Sequence, residues 1–274
     1  TQNFTTATSV YNIGIGYNAG RLITTGTLNT LMGGLVGAAI TTGAANTGVG
    51  YNSLGANTTA NNNTALGAYT LEDNTTGTAL VAVGAGALKN NTTADNNVAV
   101  GLDALMTNTT GANNTAVGYY ALKSNTTGYA QVALGRTALE DNTTGAANVA
   151  VGQNALANNT TASNNIAIGL EALYTNTTGA QCIAIGGGAA AASNISNTLA
   201  IGYSSLNDLT TGARNVAIGN YTLDTTQAGS NSVAVGYAAG DAVTTAINLV
   251  LVGDVAGDAI TTSSGCVFIG QAAG

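Results

Sequence analysis

The sequence predicts an all-β protein, a parallel β-solenoid (β-roll) of about sixteen 17-residue coils, on three observations. First, a glycine recurs at constant spacing. Gly16, Gly33, Gly50, Gly67, Gly84, Gly101, Gly118, Gly135, Gly152, Gly169 and Gly186 follow one another every 17 residues, Gly202 comes after one step of 16, and Gly219, Gly236, Gly253 and Gly270 resume the interval. Second, these marker glycines close a short alternation such as Asn148-Val149-Ala150-Val151-Gly152. Third, proline is absent, as expected where each coil donates its N–H groups to the next. A period this short and regular is one supersecondary unit stacked on itself. Residues 1–274 therefore read as a single β-solenoid domain, with an irregular coil near 186–202.

Positions are counted from the marker glycine as zero. Positions −3 and −1 carry branched residues (Val98/Val100, Ile166/Ile168, Val216/Ile218), position −2 is alanine from Ala65 to Ala234, and −4 is most often asparagine. Alternation of this kind is a strand, with −3 and −1 on one face and −4, −2 and the glycine on the other. Position +3 is small (Ala87, Ala104, Ala121) and +4 is leucine in most coils from Leu54 to Leu223. This stretch is expected to be a second extended segment whose leucine packs back onto the −3/−1 row. The Asn-Thr-Thr-Gly/Ala run at +7 to +10 is turn chemistry, since Asn bonds its own backbone and Gly accepts positive φ. Where +4 is Gly20, Gly37, Gly240 or Gly257, position +7 is Ile23, Ile40, Val243 or Ile260. The two positions are thus expected to fill one core volume from opposite sides.

With the branched row assigned to the interior, Ala82, Ala99, Ala116, Ala133, Ala150 and Ala167 at −2 fall on the outside. A strand apolar on both faces is normally covered on both. These alanines are therefore the expected inter-subunit face, sealed by sister chains under cyclic symmetry.

The segment Asn231-Ser232-Val233-Ala234-Val235-Gly236-Tyr237-Ala238-Ala239-Gly240 resembles the head repeat of trimeric autotransporter adhesins, the YadA-like family. Asn114 to Gly128 is similar to repeats of bacteriophage tail-fibre proteins. The adhesin resemblance implies a trimeric parallel β-roll on a cell surface, although the usual family repeat is shorter than 17 and no coiled-coil stalk or membrane barrel occurs in these residues. Both resemblances imply an extracellular, cell-surface or virion location and a structural or adhesive fibre. Two further readings are a filament subunit stacking end to end, because neither end shows a polar cap and Cys266 to Gly270 is as apolar as any coil, and an ice binder. The start at Thr1 shows no signal segment.

Composition narrows the function. Charged residues make up 6% of the chain and basic residues number five, too few for a nucleic-acid surface, and the net charge of −7 is too dilute for a polyanion. A mean hydropathy of +0.22 raises the question of a membrane span, but the most apolar window, Leu28 to Ala39, is short and in coil register. There is no histidine, and acids such as Glu72, Asp103, Glu140 and Glu171 are scattered, so no catalytic set, cofactor or metal is expected. Gly186-Gly187-Gly188 lacks the lysine of a phosphate loop and precedes the 16-residue step. Cys182 and Cys266 lie five coils apart, about 24 Å at 4.8 Å per coil, and are expected to be free thiols. Sequons at Asn57, Asn74, Asn108 and Asn142 read as turn residues. Regular Thr-Thr pairs at +8/+9 suggest an ice-binding face, but adjacent threonines in a turn point to opposite sides. Tyr51, Tyr119, Tyr120, Tyr203 and Tyr237, at +1 or +2, are expected outside as an adhesive surface for a host-surface, matrix or glycan receptor, or as flanks of a subunit contact.

Overall fold

A computed structural model describes residues 11–274, which form an all-β parallel solenoid without helices. The expectation about a signal segment at Thr1 falls outside the described residues. Two compact units divide at Arg136/Thr137. The first contains β1 (Ile13–Ile15), β2 (Thr30–Met32), β3 (Thr47–Val49), β4 (Thr64–Leu66), β5 (Val81–Val83), β6 (Val98–Val100), β7 (Thr115–Val117) and β8 (Val132–Leu134). The second contains β9 (Val149–Val151), β10 (Ile166–Ile168), β11 (Ile183–Ile185), β12 (Leu199–Ile201), β13 (Val216–Ile218), β14 (Val233–Val235), β15 (Val250–Val252) and β16 (Val267–Ile269). Within each unit consecutive strands pair in parallel at one coil's offset, as Val98 with Thr115 and Ile166 with Ile183.

Each strand occupies positions −3 to −1, and the marker glycine ends it. The second expected extended segment is not a strand. From +1 to +6 the chain runs through successive turns in which right-handed residues alternate with left-handed ones, Asp103 at φ 52° and Leu105 at φ 53° in one coil. Ala104 N–H, Met106 N–H and Asn108 N–H donate to the carbonyls of Gly101, Asp103 and Leu105, each three residues back. The left-handed residues keep the stacking ladder going. Asp103 N–H donates to Ala85 of the coil before at 3.0 Å, and Leu105 N–H to Ala121 of the coil after at 3.0 Å. Alternating handedness thus curls the chain tightly while its peptides still point along the stack.

The interior is the reverse of the expectation. Ala82, Ala99, Ala116, Ala133, Ala150 and Ala167 are fully buried within their own chain, opposite Leu71, Leu88, Leu105, Leu122 and their equivalents. They are core, so they cannot be the inter-subunit face. The branched residues at −3 and −1 point outward, with Val49 37% and Ile168 38% exposed. The reason is width. Most 17-residue coils enclose one leucine and a few small groups, and even the fullest, with Leu31, Val36 and Ile40 inside, leaves the −3/−1 row no room within. The exchange between +4 and +7 is explained by the same limit. A Cβ on Gly37 would lie 2.8 Å from Ile40 Cδ1 and 3.0 Å from Leu31 Cδ1, and one on Gly240 2.6 Å from Leu251 Cδ1. Glycine at +4 accompanies a large residue at −2 or +7 that occupies the space a leucine at +4 would take.

Two asparagine columns complete the core. Asn46, Asn63, Asn97, Asn114 and Asn165 at −4 are buried, and Oδ1 of each ladder member receives the N–H of the −4 residue in the next coil, as Asn114 N–H to Asn97 Oδ1 at 2.8 Å. The Asn97 side-chain amide donates across to Gly111 O at 2.8 Å. The +7 column is buried too, not a surface turn. Asn108 Nδ2 donates to Asn91 Oδ1 at 3.0 Å and to Gly111 O at 2.9 Å, and Asn125 Nδ2 donates to Asn108 Oδ1 at 2.8 Å. Most of these buried amides are thereby satisfied within their own coil or by the coil above or below, Asn57 Oδ1 being left without a partner.

At −6 the coils alternate in kind. The backbone N–H of Ala44, Thr78, Ala146, Ala180, Ala213 and Ile247 donates to the side chain of Asn61, Asp95, Ser163, Ser196, Ser230 and Ser264 respectively, one coil further on. In the second unit every second coil supplies the acceptor, whereas in the first Tyr129 stands where the series would place the acceptor for Ala112. The 16-residue step after Gly186 is a turn shortened by one residue. Asn194 Oδ1 accepts the N–H groups of Thr177 and Thr178 at 2.9 Å and of Gly179 at 3.2 Å, the three donors that bond a +8 carbonyl (Thr41 O) from Thr24, Thr25 and Gly26.

Candidate functional site

The outward rows at −3 and −1 make one apolar surface on each unit. Position −1 is Val, Ile, Leu or Met in all sixteen strands, position −3 is Val, Ile, Leu or Thr, and neither row carries a charge. These side chains remain about one-third exposed, because neighbours along the row shield one another while the outer methyls stay uncovered. Contiguous apolar surface on this scale marks an interaction site. A flat ladder with one rung per coil also demands a matching repeat in whatever covers it.

Along the edge that follows the marker glycine stand the tyrosines, outside as the sequence implies. Tyr51, Tyr119, Tyr203 and Tyr237 are exposed, and Tyr120 is half-buried. They form three groups. Tyr51 and Tyr69 meet edge to face at 5.5 Å, with Lys89 over the Tyr69 ring and paired to Glu72 at 3.4 Å. Tyr119 and Tyr120 stack at 3.8 Å, and Lys123 Nζ lies 3.9 Å from the Tyr120 ring centre. Tyr203, Tyr221 and Tyr237 form a row, with ring centres 5.5 Å and 5.9 Å apart. Tyr69 and Tyr221 belong to these groups by contact, a signal that the spacing of +1/+2 tyrosines in adjacent coils already contained.

On the opposite edge, before the strand, Gln181, Asn197 and Arg214 at −5 line a notch of about 310 Å³ floored by Ile183, Leu199 and Val216. Arg214 Nε donates to Asn231 Oδ1 at 2.7 Å.

The marker glycines Gly50, Gly67, Gly84, Gly101, Gly118, Gly135, Gly152 and Gly169 all have φ between 119° and 142° and end their strands in the same geometry. The +8 threonines donate their hydroxyls to the +8 carbonyl of the next coil, as Thr75 to Thr92 O at 3.0 Å, while the +9 threonines are exposed. In the folded chain the sequon asparagines Asn57, Asn74, Asn108 and Asn142 are buried. Cys182 is a buried free thiol and Cys266 a half-buried one. Among the described residues no group of three or more His, Cys, Asp or Glu could hold a metal, and no helix is long and apolar enough to cross a membrane.

One electrostatic defect stands out. Partial burial, followed by the charges of Asp208 and Asp241, pushes Asp224 up to about 6, and its Oδ1 is buried without a partner. The folded state therefore holds this proton more tightly than the unfolded chain. The destabilising charge acts fully above about pH 6 and is relieved as pH falls toward the ordinary value of 3.8. The shift corresponds to about 3 kcal/mol, and screening at this half-exposed carboxylate reduces it to ~1 kcal/mol. Thermal melts of the parent and Asp224→Asn should differ at pH 7.5, with the variant more stable, and converge near pH 4. Equal melting temperatures across that range would contradict the assignment.

The chain matches no protein-family model, no curated protein and no solved structure.

Proposed function

We propose that this protein is a non-enzymatic structural fibre with an adhesive surface, located outside the cell or on a virion, and assembled as a homotrimer through its aliphatic sheet face. The observation that carries the reading is the uncharged face of Val, Ile, Leu, Met and Thr at −3 and −1 that each unit leaves open. Another copy of the same chain is the cover that fits, because only a surface with the same rise per coil keeps contact rung after rung. Three is the number implied by the resemblance to adhesin heads. Copies related by rotation about the stacking direction bury this face completely, which cyclic symmetry allows and a lone subunit does not. The backbone ladder then makes the assembly stiff. Tyrosines at the edges, multiplied by the number of chains, supply contacts to a host surface, matrix or glycan with the avidity of a repeated site.

The test is mass in solution. Light scattering of the parent should give a discrete trimer, and Val100→Glu/Val117→Glu a monomer that keeps its β-sheet circular dichroism, since both side chains point outward. A parent that stays monomeric at millimolar concentration would refute the reading.

A further inference from the structure

We propose that the aliphatic face closes through a seam in which the tyrosine edge of one chain docks against the Arg214 notch of the next, Tyr221 lying over the Arg214 guanidinium. This rests on the oligomeric reading above. Rotation about an axis along the stacking direction involves no shift along it, so each coil meets the same coil of its neighbour. Such a rotation also sets the edge after the marker glycine against the neighbour's edge before the strand, whether two or three chains close the ring.

In the second unit these two edges are complementary at the same levels. At β13 the edge before the strand carries Arg214 and the edge after it carries Tyr221. At β12 the pair is Asn197 and Tyr203. At β11 the long Gln181 faces Gly187 and Gly188, which have no side chains to oppose it. The notch is a cavity of about 310 Å³ with an apolar floor, suited to an aromatic ring. The bond from Nε to Asn231 fixes the guanidinium plane, and among the described residues no carboxylate pairs with it. Its flat face is free to take a ring by cation–π attraction. The rings of Tyr203 and Tyr221, 5.5 Å apart, climb nearly in step with the coils. Only at β13 does a tyrosine meet a cation at its own level: Tyr51, Tyr69 and Tyr119/Tyr120 face Ala45, Asn62 and Asn113, none of which carries a charge, and this leaves those two groups for outside contacts.

The experiment places cysteines at both partners, Arg214→Cys/Tyr221→Cys, in a Cys266→Ser background, with buried Cys182 left in place. After treatment with a thiol-reactive bis-maleimide long enough to span the two removed side chains, a denaturing gel should show chains linked covalently up to the full oligomer. Unlinked chains from a preparation that has the parent's oligomeric mass would overturn the docking and leave the oligomeric reading intact. A monomeric parent would overturn the oligomeric reading itself, and the docking with it. A double-mutant cycle serves if the cysteine pair fails to assemble. Arg214→Gln and Tyr221→Leu should each raise the half-dissociation concentration about tenfold, and the double variant no more than either. Losses that simply multiply would contradict the contact.

Discussion

Replacing Gly118 with alanine unfolds the first unit at temperatures where the parent chain is intact. At φ +141° the new Cβ would lie 2.3 Å from Gly135 O and 2.6 Å from Gly135 C, which are backbone atoms of the next coil. No rotamer relieves such a clash. The coils must separate, and separation breaks the parallel ladder on both sides of the site, at a cost above ~4 kcal/mol. Gly34 supplies the control. A Cβ there meets only the edge of the Tyr51 ring, at 3.4 Å, so Gly34→Ala should change stability by less than ~1 kcal/mol. Circular dichroism melts of the two variants check the difference. Equal melting temperatures would show that the marker glycines are not where one coil rests on the next.

Asn108→Ala should come second in severity. The side chain donates to Asn91 Oδ1 and Gly111 O and accepts from Asn125 Nδ2, all in the dry interior. Truncation removes these bonds and strands their partners, each at about 1–3 kcal/mol, for a total of roughly 3 kcal/mol or more. Asn108→Asp should be worse, because a carboxylate cannot donate and burying its charge is costly. Thr110→Ala, two residues away and exposed, should stay within ~0.5 kcal/mol. Urea unfolding of the three variants measures this order. An Asn108→Ala midpoint matching that of Thr110→Ala would dismiss the interior ladder as a stabilising element.

How far the sequence could be read depended on which physical limit was in play. The glycine period and the −3 to −1 alternation translate directly into coils and strands, because backbone stacking needs exact repetition. The face assignment failed because branched residues were given the interior on hydrophobicity alone, while the narrow coil is governed by volume. A signal for the true orientation was present. Position −2 becomes Leu31 or Leu251 in coils where +4 is Gly37 or Gly257, a compensation that makes sense only if −2 and +4 share the core. Asparagine at −4 shares the alanine face, so its recurrence also pointed to an interior ladder. The left-handed turns were harder to foresee. Asn52, Asp103 and Asn154 at +2 tolerate positive φ, but Leu105 at +4 gives no such hint, since its conformation is imposed by the stacked coils around it. The notch at Arg214 was out of reach of the pattern, because it arises where outward side chains of three coils meet.

The alternation at −6 has a consequence for how such a chain can grow or shrink. Ala180, Ala213 and Ile247 each lean on a serine one coil ahead, so the smallest interchangeable piece is 34 residues, not 17. Excising the coil that carries Ser230 would set Ala213 before Ile247 and leave a peptide N–H with no acceptor, whereas excising that coil together with its successor would set Ala213 before Ser264. Length variants within the second unit should therefore differ by even numbers of coils, a parity rule written in serines rather than in the glycine beat.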